Sequence, residues 1–131
     1  MAVLFRRARS FSRELAREVH PGLEPAAYAL LLRVEELGSV RLTDLASFYG
    51  VGKPTVSRQL ALMQELGLVQ RVEDANDRRS AKLSLTEDGV ARLAHARKAR
   101  RKRFKALFED WDAADIARFG ELLGRFNRTQ D

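Results

Sequence analysis

Cysteine is absent from this 131-residue chain, which excludes disulfides, thiolate metal sites and thiol-based oxidation sensing. Histidine is scarce: His20 and His95 stand far apart, outside any cluster of ligand spacing, so neither a structural zinc site nor a cofactor is expected. Long apolar runs are missing too. Met1 to Phe5 is too short for a signal peptide, and nothing later approaches the roughly 20 residues of a membrane span, so a cytoplasmic protein without membrane contact is expected. No Cys-His or Ser-His-Asp grouping, phosphate loop or carboxylate pair stands in a recognisable frame, and the chain is not read as an enzyme.

What is present is ordinary in hydrophobicity and unusual in charge. Apolar residues make up 45% and aromatics 8%, while 24 Lys and Arg against 18 Asp and Glu leave a net charge of +6. That excess points to a partner rich in phosphate. The length is one domain's worth, enough for a real hydrophobic core.

Leu4, Ala8, Phe11, Leu15 and Val19 recur at helical spacing with arginines between them, which predicts an amphipathic helix ended by His20-Pro21-Gly22. Pro25 suits the first turn of a second helix, apolar on most sides and closed by Gly38. An extended piece over Ser39 to Arg41 precedes a short helix across Thr43 to Phe48. Gly50 suits a tight turn and Gly52 an N-cap, after which Lys53 to Leu66 reads as a further helix with Val56, Leu60 and Met63 on one face. Helix, glycine turn, helix is the helix-turn-helix pattern.

Leu68 to Glu73 and Ser80 to Leu85 read as two strands separated by turn formers between Asp74 and Arg79. Thr86 is a good N-cap for a long helix running to about Trp111. Asp112 caps a last one carrying Ile116, Phe119, Leu122, Leu123 and Phe126. The class is mainly α with a small β wing.

Leu45-Ala46, Pro54-Thr55-Val56-Ser57-Arg58, Gly67-Leu68-Val69, Asp77-Arg78-Arg79 and Leu85-Thr86-Glu87-Asp88-Gly89 stand in an order and spacing that resembles the MarR family of transcriptional regulators over nearly the whole chain. The resemblance implies a winged helix-turn-helix plus a helical dimerisation region: a single MarR-like domain over 1–131, with the DNA-binding lobe at 38–86 and the dimerisation helices at 1–22 and 87–131. It implies a homodimer on double-stranded DNA, binding a pseudo-palindromic operator, usually as a repressor, and releasing it to a small aromatic or anionic effector. The helix from Lys53 would enter the major groove with Pro54, Thr55, Ser57 and Arg58. Arg78 and Arg79 would lie on the wing, with Arg79 in the minor groove and Asp77 orienting it. Groove geometry agrees, since a helix's first turns reach base edges and arginine suits the negative minor groove of A/T-rich sequence.

Two positions depart from the family pattern: Arg41 stands where a capping Ser or Thr is usual, and Gln59 takes a usually apolar place. Asp77 is equally a turn-forming residue. His20 and Tyr28 fall where the resemblance places a ligand, and a helix-ending histidine and a core tyrosine account for them as well. Residues 90–108 hold eight Lys or Arg and no acid; they are read as a solvated face paired with acids such as Glu109, Asp110 and Glu121, in preference to an electrostatic apron. The alternative function is a winged-helix architectural protein binding nucleic acid without sequence preference. It differs in failing to hold a chosen duplex against excess random DNA.

Overall fold

The computed structural model describes residues 1–49, 52–74 and 76–128. In chain order these give α1 (Ala2–Val19), α2 (Pro25–Leu37), β1 (Ser39–Arg41), α3 (Leu42–Tyr49), α4 (Lys53–Glu65), β2 (Val69–Asp74), β3 (Asp77–Leu85), α5 (Glu87–Leu107) and α6 (Ala113–Arg128). The three strands form one antiparallel sheet in the order β1-β3-β2. The fold class is the expected one, mainly α with a small β wing. The turn assigned to Gly50 lies outside the described residues.

Helix boundaries follow local chemistry. Pro25 opens α2 from its first turn, where a missing N–H costs nothing. Gly38 and Gly67 end α2 and α4 at φ 79° and 75°, a backbone region that an L side chain resists. The Thr86 hydroxyl accepts the Gly89 N–H at 3.0 Å, and the Asp112 carboxylate accepts the Asp115 N–H at 2.9 Å, so both residues cap helices as read.

The hydrophobic core lies between Leu15 and Ala96. Leu31 and Val34 of α2, Leu45 of α3, Val56 and Met63 of α4, Leu68, and Leu93 of α5 are all fully enclosed. Each such side chain contributes about 1.5–3 kcal/mol by leaving water. α2 is central, as its apolar sequence predicted. The first part of α5 is held against it and against α1 by polar ties: Arg97 pairs with Glu35, Arg92 donates to the Val19 carbonyl at 3.1 Å, and His95 Nε2 lies 3.3 Å from Glu18.

Two expectations are corrected. β3 starts at Asp77, not Ser80, because Asp74 pairs directly with Asp77 across an irregularity in the ladder, so the polar residues belong to strand as well as turn. α5 stops at Leu107, short of Trp111: the Phe108 N–H is shared between the Phe104 and Lys105 carbonyls, and Glu109 and Trp111 donate only three residues back, tightening the chain out of the α-helix without glycine or proline. The chain divides into two compact units, residues 1–99 and 100–131. Within the second, Phe108 lies edge-on to Trp111 at 5.1 Å and 5.8 Å from Phe119, while α6 buries no residue.

Candidate nucleic-acid interface

The candidate reading helix, α4, has two faces of opposite character. Val56 and Met63 are fully buried and Leu60 nearly so, which fixes the helix to the core. Pro54, Thr55, Ser57 and Arg58 are exposed on its first two turns. Gly52, in extended backbone, accepts N–H bonds from Thr55 and Val56 at 3.1 and 3.3 Å and so starts the helix without a side-chain cap. The first turn carries no acid. The positive end of the helix dipole is therefore not neutralised by a local carboxylate, which favours a nearby phosphate.

The wing follows from the strand register. Val40, Leu83 and Val69 share the sheet face that enters the core, because Val40 pairs with Leu83 and Val69 with Leu85. Two residues along β2 on that same face stands Arg71, exposed. Beyond Val69 on β2 and Leu83 on β3 the hairpin has left the core, and past the Arg41–Lys82 pair it continues as two strands. The backbone places Asp77, Arg78 and Arg79 at the outer end of these strands, at the start of β3. The side chains of these three and of Lys53 lie outside the described residues.

Arg71 was missed in the sequence. Its signal is the period-2 pattern itself: two positions after buried Val69, a charged residue on the inward face marks where the strand leaves the core. The two departures also resolve in part. Arg41 is the last residue of β1, and α3 follows it without a loop, with Asp44 in the first turn. Gln59 is half-buried, and its Oε1 is enclosed without a hydrogen-bond partner among the described residues.

His20 and Tyr28 have structural roles. His20 Nδ1 accepts the Gly22 N–H at 3.0 Å, shaping the turn after α1, and Tyr28 is a core residue with 7% exposure. In residues 90–108, Arg92 pairs with Asp88 and Arg97 with Glu35, whereas Glu121 pairs with Arg118 instead of that stretch. The basic stretch is thus neutralised partly from α2 and from its own first turn. Among the described residues no group of His, Asp or Glu is arranged to hold a metal, and no helix is long and apolar enough to cross a membrane.

Residues 22–80, which hold this helix and most of the wing, match the model of the MarR family. The chain is 31% identical over 106 residues, 81% of its own length and 74% of the relative's, to an uncharacterised HTH-type transcriptional regulator, YxaD, of Bacillus subtilis strain 168. In fold it is similar to RV1404 from Mycobacterium tuberculosis, with a TM-score of 0.86 and 18% identity over 98% of this chain and 89% of that one. A MarR mutant from E. coli complexed with operator DNA is similar as well, with a TM-score of 0.72 and 19% identity over 95% of this chain and 91% of that one.

Proposed function

Since the chain belongs to the MarR family of transcriptional regulators, we propose that it binds a pseudo-palindromic operator as a homodimer and represses transcription until a small aromatic or anionic effector releases it. The observation that carries this reading is the two-faced α4: a rigidly packed inner face, and an outer face of Thr55, Ser57 and Arg58 at an acid-free helix start. Anchored in this way, the helix presents its first turns to base edges in the major groove. The hairpin carries Arg71, Arg78 and Arg79 toward the flanking backbone and minor groove. A cytoplasmic location goes with a regulator that works on DNA.

A homodimer is supported by exposed apolar surface. Val3, Leu4 and Phe5 on α1, and Ile116, Phe119, Leu122, Leu123 and Phe126 on α6, are more than a monomer of this size leaves in water without a partner. Effector release without thiol chemistry is supported by the lack of cysteine. Peroxide at levels that spare methionine should leave DNA binding intact.

The test is selection of bound duplexes from a random pool at fixed salt. Two half-sites about 10 base pairs apart, or a multiple of that, are expected. The selected duplex should hold against random DNA in excess by a factor of about a thousand. Retention of every duplex alike would establish the architectural alternative instead.

A further inference from the structure

The end of α4, both roots of the wing and the start of α5 meet at one corner. α4 closes with the Gly67 N–H donating to the Gln64 carbonyl at 3.0 Å and the Leu68 N–H to the Met63 carbonyl at 2.9 Å, with Leu68 and Met63 both fully buried. This paired termination leaves the carbonyls of Gly67 and Leu68 directed away from the helix. Both are taken by one residue. Thr86 donates its backbone N–H to the Leu68 carbonyl at 3.0 Å and its hydroxyl to the Gly67 carbonyl at 2.6 Å.

The same hydroxyl accepts the Gly89 N–H at 3.0 Å, so one oxygen joins the end of α4 to the first turn of α5. Gly89 allows the approach: a Cβ there would stand 2.1 Å from the Leu68 carbonyl oxygen, which no side chain can occupy. Immediately beyond the corner, Val69 and Leu85 face each other as the first rung of the wing. The wing therefore departs within one residue of the tie on both strands.

From this geometry we infer that Thr86 is a positioning residue for the DNA contact: its hydroxyl sets the angle at which the wing leaves α4, and so lets helix and wing engage one duplex together. The inference rests on the DNA-binding reading and adds a residue that touches no DNA. Hydroxyl chemistry is essential to it, because the oxygen must donate and accept at once. A Cβ methyl in its place satisfies neither partner.

A double-mutant cycle tests it, with Thr86→Val and Thr86→Ser each made with and without Arg79→Ala and measured on the selected operator. Thr86→Val should weaken binding about tenfold, the scale of a hydrogen bond left unmade. In the Arg79→Ala background the same change should cost less than about twofold, because the minor-groove contact that depends on the wing's angle is already lost. Thr86→Ser should retain binding in both. An equal loss in both backgrounds, or no loss from a folded Thr86→Val, would overturn the inference. Circular dichroism checks the fold, and if the valine variant fails to fold, Thr86→Ala completes the same cycle. A wild-type protein that selects no duplex would overturn the DNA-binding reading itself, and this inference with it.

Discussion

Residues 1–99 and residues 100–131 solve the problem of apolar surface in opposite ways. Apart from Val3, Leu4 and Phe5 at the start of α1, the first unit encloses most of its hydrophobic side chains around α2, to the point that Leu31, Val34 and Leu93 are essentially without solvent contact. The second gathers Phe104, Phe108, Trp111 and Phe119 into ring contacts, yet leaves Phe119 42%, Leu122 45% and Phe126 55% exposed. The difference separates two origins of order. The proposed DNA-reading face is built on a core that one chain completes, whereas the last helix presents an apolar stripe that a second copy is proposed to complete.

The comparison breaks if changes in the two units have the same consequence. Leu31→Ala should cost about 2–5 kcal/mol, read as a fall in the unfolding midpoint that does not depend on how far the protein is diluted within its dimeric range. Leu122→Asp should instead act on assembly: sedimentation at micromolar concentration should show a monomer, with a loss of about 2 kcal/mol or more in association. A Leu122→Asp protein that remained dimeric would remove α6 from the interface. Arg58→Ala and Arg79→Ala should leave folding and assembly unchanged and weaken operator binding. For Arg58 the cost is about 1–3 kcal/mol, concentrated at one or two base pairs per half-site; for Arg79 it appears mainly on A/T-rich flanks. An identical loss on every duplex would make both generic phosphate contacts. Gln59→Leu should stabilise the first unit by about 1 kcal/mol, because it removes an enclosed acceptor that has no donor among the described residues; a lower melting temperature would show that the amide has a partner in solution. Smallest of all, Arg118→Ala breaks an exposed pair on α6 and should change stability by less than about 0.5 kcal/mol.

Much of this was legible in the chain because the decisive residues act locally. Pro25, Gly38, Gly67, Thr86 and Asp112 mark boundaries that depend on their own backbone and a neighbour three residues away, and the structure puts them at those boundaries. The outer placement of Thr55, Ser57 and Arg58 followed from their spacing against Val56, Leu60 and Met63. What escaped depends on partners distant in sequence or on absent punctuation. Nothing between Phe104 and Trp111 forbids helix, so the end of α5 could not be placed. The pairing of Arg97 with Glu35 joins residues on different helices. The exposure of Arg71 required knowing where the sheet leaves the core. The proposed roles of Asp77, Arg78 and Arg79 rest on the motif and await the substitutions described above.

The central strand of the sheet has a consequence for how the molecule comes into being. β3 pairs with β1 as well as β2, and Ser39 meets Ser84 across an intervening stretch that holds both α3 and α4. Closing so long a loop is entropically slow compared with forming the helices inside it. On the ribosome, α3 and α4 emerge before the strand that closes the loop holding them. The candidate reading helix thus has its sequence early, and a nascent chain arrested before Leu83 would carry every residue of α4 without the strand that joins β1 to β2.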